Sequence, residues 1–410
     1  MDNGRVDETA RIVIIGAGQA GFSACSKLRA LGHAGPITLI GNENHPPYQR
    51  PPLSKGYLLG ETTEERLYLR PLTFYEERGI DLRLSSTVEA IDRSSGKVRI
   101  SDGSEIAYDR LLLATGARPR TLPAEMGGDL AGVHYVRNLA DINAMAHRFR
   151  EGQRVVIIGG GYIGLEAAAV SSKLGLQVTL IEASQRILQR VASFQTSQFF
   201  GALHASHGVT ILENTGIERL SGEDGHVRAV ELSDGSTLLS DFVIVGIGVY
   251  PNTGLAEAAG LEIDNGIAVD SNCRTSDPHI FAAGDCASFP WRSGRIRLES
   301  VGNAIDQGEA AAKSMLGLSE EYIAKPWFWS DQFDVKLQIA GLSAGYDSVA
   351  TRKGAGASVS FWYYRGEELL AVDAMNDPRV YMAAKRLIEA GKSPLPSFVA
   401  DPASDLKSLL

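Results

Sequence analysis

Two stretches of this chain follow one plan: an apolar strand, a glycine-rich turn, then the start of a helix. The first reads Arg11-Ile12-Val13-Ile14-Ile15-Gly16-Ala17-Gly18-Gln19-Ala20-Gly21, the second Arg154-Val155-Val156-Ile157-Ile158-Gly159-Gly160-Gly161-Tyr162-Ile163-Gly164. In the first, Gly16 supplies a tight turn, Gly18 lets the backbone approach a pyrophosphate, and Gly21 lets the helix pack on the strand. Gly159, Gly161 and Gly164 repeat these roles. The N–H groups at each helix start, helped by the helix dipole, face the phosphates. One such glycine pattern is a weak signal, but two in the same strand-to-helix setting are hard to produce by chance. Each loop is expected to bind one dinucleotide, so electrons should pass between a flavin and a nicotinamide.

Each unit also ends its second strand on an acid. Ile37-Thr38-Leu39-Ile40 leads to Glu43, and Gln177-Val178-Thr179-Leu180-Ile181 leads to Glu182. Both acids lie about 20 residues beyond the last glycine, where a carboxylate accepts hydrogen bonds from ribose hydroxyls. At Glu182 it favours a free 2′-hydroxyl and repels a 2′-phosphate, which points to NADH. Arg186 and Arg190 lie close enough in sequence to weaken that preference.

A length of 410 residues favours two or three domains, and 44 glycines suit a fold rich in strand-to-helix turns. A net charge of −9 argues against a nucleic-acid binder. No run of uncharged apolar residues is long enough for a membrane span. Residues 12–24 resemble a signal-peptide core, but their glycines fit the fingerprint better. Cys25, Cys273 and Cys286 are few and far apart, so no disulfide framework is expected, and a reducing cytoplasm is the default.

Other segments are more specific. They are Arg50-Pro51-Pro52-Leu53-Ser54-Lys55, Leu113-Ala114-Thr115-Gly116, and Thr275-Ser276-Asp277-Pro278 leading to Ala283-Gly284-Asp285. Glu299-Ser300-Val301 and Trp327-Phe328-Trp329-Ser330-Asp331-Gln332 follow. With the fingerprints, from about residue 11 to at least residue 377, the chain resembles the flavin-dependent ferredoxin reductases. The resemblance implies an α/β fold of glutathione-reductase type: two Rossmann-like dinucleotide-binding domains plus an α+β C-terminal interface domain. Residues 1–118 and 246–325 would form a discontinuous FAD domain, 119–245 the NAD domain, and 326–410 the interface domain.

The same resemblance assigns roles. Lys55 would lie near the reactive edge of the isoalloxazine with Glu166 as its ion-pair partner. Trp329 would sit near the flavin or the nicotinamide, although a core tryptophan is a serious alternative. Asp285 would hydrogen-bond the ribityl chain. Arg50, Ala114, Thr115, Gly116 and Val301 would complete the FAD site with Gly16, Gly18, Gly21 and Glu43.

Local reading adds further expectations. Pro51 and Pro52 should stiffen residues 50–55 into an extended path and stop a helix. A helix over about 299–315 would point its positive end at the flavin, worth roughly 0.3–2 kcal/mol to an anionic reduced form. Near the C-terminus, strands are expected at 335–339 and 359–364 with a glycine-rich turn between them, then a helix at about 378–390.

No metal site is expected, and the His204/His207 pair reads as a solvated helix face. Relatives that reduce disulfides or peroxides need a cysteine near the flavin, and residues 41–60 contain none. Electrons should therefore leave for an external carrier, by resemblance a 2Fe–2S ferredoxin serving a haem monooxygenase or a ring-hydroxylating dioxygenase. Arg292, Arg295, Arg297, Lys313 and Lys336 could form a basic docking rim, and a solvated cluster explains them equally well. A rubredoxin- or nitrite-reductase-linked reductase differs only in acceptor, whereas a redox-responsive FAD/NADH-binding interaction protein would transfer few electrons. Oligomeric state is open.

Overall fold

The computed structural model describes residues 9–318 and 320–410. The chain divides into two compact units, each made of separated segments.

The first unit takes in the residues up to Gln49, Glu64–Arg118 and Val249–Pro326. Its main sheet has the strand order Ile280–Ala282, Arg110–Leu113, Ile12–Ile15, Ile37–Ile40, Ile80–Arg83, all parallel. Ile12–Ile15 and Ile37–Ile40 are buried along their whole length. This is why they read as unbroken apolar runs rather than alternating ones: crossover helices cover a parallel sheet on both faces. The helices Gln19–Ala30 and Val301–Met315 pack closely. Gly308 permits this, since a Cβ there would lie 2.5 Å from the Ala20 carbonyl oxygen. Ile14, Leu28, Leu39, Leu112, Phe281 and Met315 form the core between sheet and helices.

The second unit comprises Arg50–Thr63, Pro119–Gly248 and Trp327–Leu410. It repeats the architecture with parallel strands in the order Thr210–Leu212, Gln177–Ile181, Arg154–Ile158, Phe242–Val245, Val133–Tyr135. In both sheets the fingerprint strand is central, so its glycine turn opens at the carboxyl edge where strand order reverses. That crevice is where open α/β sheets bind ligands. The same unit holds an antiparallel sheet ordered Trp327–Gln332, Val335–Gly341, Glu368–Met375, Val359–Arg365, Ser348–Lys353. The helix Pro378–Glu389, capped by Asp377, packs Val380, Ala384 and Leu387 against Trp362 and Val372.

Two local expectations need correcting. Pro51–Ser54 is a turn of 3-10 helix, not an extended path. Proline's fixed φ suits a first helical turn, where its missing N–H leaves no bond unmade. Between the expected strands near 339 and 359 lies another strand, Ser348–Lys353, rather than only a glycine-rich turn. It pairs on one side alone, so its mixed, half-exposed side chains carry little apolar signal. Among the described residues no helix is long and apolar enough to cross a membrane.

Candidate active site

The first glycine turn is built by contact with residues 114–116. Gly16 has φ +114°, and a Cβ on it would fall 2.1 Å from the Ala114 carbonyl oxygen. Gly21 is as tightly placed, with a Cβ 2.0 Å from the Gly16 oxygen. Gly18 differs: a Cβ there would meet nothing within 4 Å. Two glycines thus close the turn, while the middle one presents bare backbone to open space, as a pyrophosphate requires. Thr115 and Asn252 lock the adjoining loop, with Thr115 Oγ1 donating to the Asn252 carbonyl at 2.7 Å and Asn252 Nδ2 donating to the Thr115 carbonyl at 2.8 Å.

The other residues expected to hold the first dinucleotide have local partners of their own. Glu43, half-buried, accepts a hydrogen bond from the Tyr48 hydroxyl at 2.5 Å. Asp285 follows strand Ile280–Ala282 through Gly284, whose N–H donates to Gln307 Oε1 at 2.8 Å. Gln307 is fully buried, and its Nε2 has no partner among the described residues. A buried donor without an acceptor is costly in an empty protein and fits a site built for a polar ligand. Ser300 caps helix Val301–Met315 by accepting from the Asn303 N–H at 3.2 Å, so Val301 is its first residue. These features fit FAD.

The second turn is built alike. Gly159 has φ +111° and would put a Cβ 2.4 Å from the Gly246 oxygen, Gly164 would meet the Gly159 oxygen at 2.0 Å, and Gly161 faces open space. Glu182, at the end of strand Gln177–Ile181, ties this turn. Its Oε2 accepts from the Gly160 N–H at 2.8 Å and its Oε1 from the Ser184 N–H at 2.7 Å. Arg186 faces its own loop: it donates to the carbonyls of Ser193 and Ala192 at 3.1 and 2.9 Å and also to Ser197 Oγ. A guanidinium so committed is a poor partner for a 2′-phosphate, which removes one reason to doubt NADH.

Within the same unit, Lys55, Glu166 and Trp329 come together from three elements. Lys55 Nζ lies 3.0 Å from Glu166 Oε1 and 5.9 Å from the Trp329 ring centre. Glu166 projects from the fingerprint helix Tyr162–Lys173 and is only 4% exposed. Ser54 Oγ donates to its Oε2 at 2.8 Å and Ser330 Oγ to its Oε1 at 2.7 Å. Burial pushes the Glu166 carboxyl above its ordinary value, while Lys55 and the serine hydroxyls act in the opposite direction. A carboxyl buried this deeply needs partners, and Lys55, Ser54 and Ser330 supply them. Beside it opens a cleft of about 250 Å³ lined by Lys55, Leu59, Glu61, Lys173, Asp331 and Phe333 among others. Arg50 is elsewhere engaged, donating to the Arg137 carbonyl at 3.0 Å.

With two glycine turns and a buried ion pair in place, kinship can be judged. Residues 10–308 match the pyridine nucleotide-disulphide oxidoreductase family and residues 327–410 the reductase C-terminal family. Rhodocoxin reductase of Rhodococcus erythropolis is 43% identical over 97% of this chain and 93% of its own length. The chain belongs to the ferredoxin reductases. Putidaredoxin reductase CamA of Pseudomonas putida is 41% identical over 97% of this chain and 96% of its own. The crystal structure of the covalent putidaredoxin reductase–putidaredoxin complex superposes with a TM-score of 0.94 at 40% identity, covering 98% of both chains. This reductase is thus an oxidoreductase of the glutathione-reductase type that uses FAD and a nicotinamide nucleotide.

Other sequence candidates are placed as follows. All three cysteines are free and buried, and burial pushes the Cys25 thiol up to about 12, which leaves it inert. Arg295 donates to the carbonyls of Val269 and Ser288, Arg297 pairs with Glu299 at 2.6 Å, and Lys313 pairs with Glu320. These cations are committed within the chain and do not mark a docking rim by themselves. His204 is not solvated: it is fully buried, with Nε2 2.8 Å from Gln332 Oε1, while His207 stacks on Phe333. Ser54, Ser330 and Gln332 were not singled out in the sequence. All three lie inside the two stretches that carried the family resemblance, but nothing in their residue types marked them.

Proposed function

We propose that this protein is an NADH-dependent, FAD-containing ferredoxin reductase that passes electrons singly to a 2Fe–2S ferredoxin. The ferredoxin would in turn supply a haem monooxygenase or a ring-hydroxylating dioxygenase, and the enzyme would work in the cytoplasm. The observation that carries the reading is the pair of glycine turns, each closed by two glycines and open at the middle one. Two dinucleotides in one chain without an accessible cysteine leave an external carrier as the electron exit.

FAD, when bound, supplies the chemistry that a side chain lacks: it accepts a hydride and releases electrons one at a time. The protein's task is binding, orientation and exclusion of water. Gly16, Gly18, Gly21 and Glu43 would hold the adenosine diphosphate part of FAD. Arg50, Ala114, Thr115, Gly116, Asp285 and Val301 would complete the FAD site. Gly159, Gly161, Gly164 and Glu182 would hold NADH. In this reading Lys55, fixed by Glu166, sets the charge beside the reacting ring, and Trp329 shields it from water. The segments 1–118 with 246–325, 119–245 and 326–410 would serve as FAD, NAD and interface domains.

Anaerobic mixing of the flavin-loaded enzyme with NADH, then with a panel of ferredoxins, tests this. Cytochrome c reduction that stays slow until one 2Fe–2S ferredoxin is added supports the proposal. Turnover with rubredoxin alone would reassign the acceptor. Flavin bleaching without transfer to any carrier would favour a redox-responsive interaction protein.

A further inference from the structure

The Glu166 carboxylate does not end at Lys55. Behind Ser330, Gln332 Nε2 donates to Ser330 Oγ at 3.1 Å, and Gln332 Oε1 faces His204 Nε2 at 2.8 Å. Ser330, Gln332 and His204 are all fully buried. The row Lys55, Glu166, Ser330, Gln332, His204 therefore runs unbroken from the edge of the cleft into the core of the second unit.

Its polarity follows from one charge. A carboxylate at Glu166 can only accept, so the Ser330 hydroxyl proton must point to it. The Ser330 oxygen is then left to accept, so Gln332 must offer it the amide N–H. This turns the Gln332 oxygen toward His204, whose Nε2 must therefore carry the proton. Every donor in the row thus points toward Glu166, and the orientation of three side chains is settled by its charge. The far ring nitrogen, Nδ1, has no partner among the described residues. A second proton there would sit buried and unpaired, in keeping with an imidazole whose pKa burial brings down to about 4.

We propose that His204, Gln332 and Ser330 are positioning residues that hold Glu166 ionised and aimed at Lys55, and so tune flavin reduction by NADH. This rests on the reading that Lys55 and Glu166 lie beside the flavin. Lys55 faces Glu166, Glu61, Lys173 and Asp331 line the cleft on Lys55's side, and His207 acts on His204 across the Phe333 ring. Hydrogen bonds to the ionised form favour it, so losing one makes Glu166 easier to protonate.

The test is the pH profile of flavin reduction by NADH in single-turnover stopped flow with the holoenzyme. Ser330→Ala and Gln332→Leu should shift the acid limb of the rate profile upward by about one pH unit, with KM for NADH within about twofold of wild type. Ser330→Thr retains the hydroxyl donor and should restore the original profile. Lys55→Met and Glu166→Gln serve as controls. If these two slow reduction but Ser330→Ala and Gln332→Leu leave the profile unmoved, the positioning role is wrong while the site stands. If Lys55→Met and Glu166→Gln also reduce at the wild-type rate, the site reading fails and takes the positioning role with it.

Discussion

Thr196 Oγ1 donates a 2.7 Å hydrogen bond to Oδ2 of Asp373, joining the helix Phe194–Ser206 to the central strand of the C-terminal sheet. The Tyr363 hydroxyl donates to the same oxygen, and both partners are neutral. Among the described residues no cation offsets the Asp373 charge there, and burial raises this carboxyl to about 6. The folded state therefore holds the Asp373 proton more tightly than the unfolded chain does. This stability contribution is present in full below the unfolded value near 4 and is lost as pH rises through about 6.

Asp373→Asn should remove that dependence while keeping an oxygen for both donors. Relative to wild type, the variant should gain on the order of 2 kcal/mol between pH 4.5 and 7.5. Urea titrations of both proteins at these two pH values measure the difference. A constant gap between them would show that Asp373 titrates normally.

Gly18→Ala and Gly161→Ala separate folding from binding. Each new methyl enters open space, so both variants should unfold within about 0.5 kcal/mol of wild type. Gly18→Ala should nonetheless lose FAD on dialysis, and Gly161→Ala should keep FAD but raise KM for NADH about tenfold or more. Gly21→Ala, whose methyl would lie 2.0 Å from a carbonyl oxygen, should fail to fold normally. Calorimetry alongside flavin absorbance distinguishes these outcomes, and a fully flavinylated Gly18→Ala would dismiss its assignment.

Glu182→Gln keeps an oxygen for one of the two backbone N–H groups and should raise KM for NADH by several fold. Glu182→Arg removes both ties to Gly160 and Ser184. It should weaken NADH more severely while improving the ratio of NADPH to NADH turnover. Steady-state kinetics with both nucleotides check this, and an unchanged ratio would argue that Glu182 does not read the ribose.

Lys55→Met leaves Glu166 buried with only hydroxyl donors. Losing one partner of a buried pair typically costs 3–5 kcal/mol, part of which Glu166 escapes by taking up a proton. The variant should be less stable, most clearly at pH 8, and slower in flavin reduction. Chemical denaturation at pH 6 and pH 8 with stopped-flow rates would show both effects.

The parts of this fold legible in the sequence were those governed by steric necessity. Gly16 and Gly159 stand where no side chain fits, and the strand residues Ile12–Ile15 and 155–158 before them are all apolar because parallel sheets are covered on both faces. The helix expected at about 378–390 is present as Pro378–Glu389, and Asp377, which caps it, was not singled out. Ser348–Lys353 stayed hidden because an edge strand buries little and needs no alternation. His204 was misjudged for a different reason: its environment is set by Gln332, a residue 128 positions away. Lys55 and Glu166 were paired only through family likeness, since residue type and local spacing do not encode a contact across 111 positions.

Arg186, tied to the carbonyls of its own loop, gives nucleotide choice an evolutionary cost. A lineage moving toward NADPH would gain little by recruiting this guanidinium, because turning it outward would unseat the loop that follows Glu182. Arg190, exposed on the same turn, is the more economical starting point. A change that begins at Arg190 would leave the carbonyl ties of Arg186, and the loop they hold, in place.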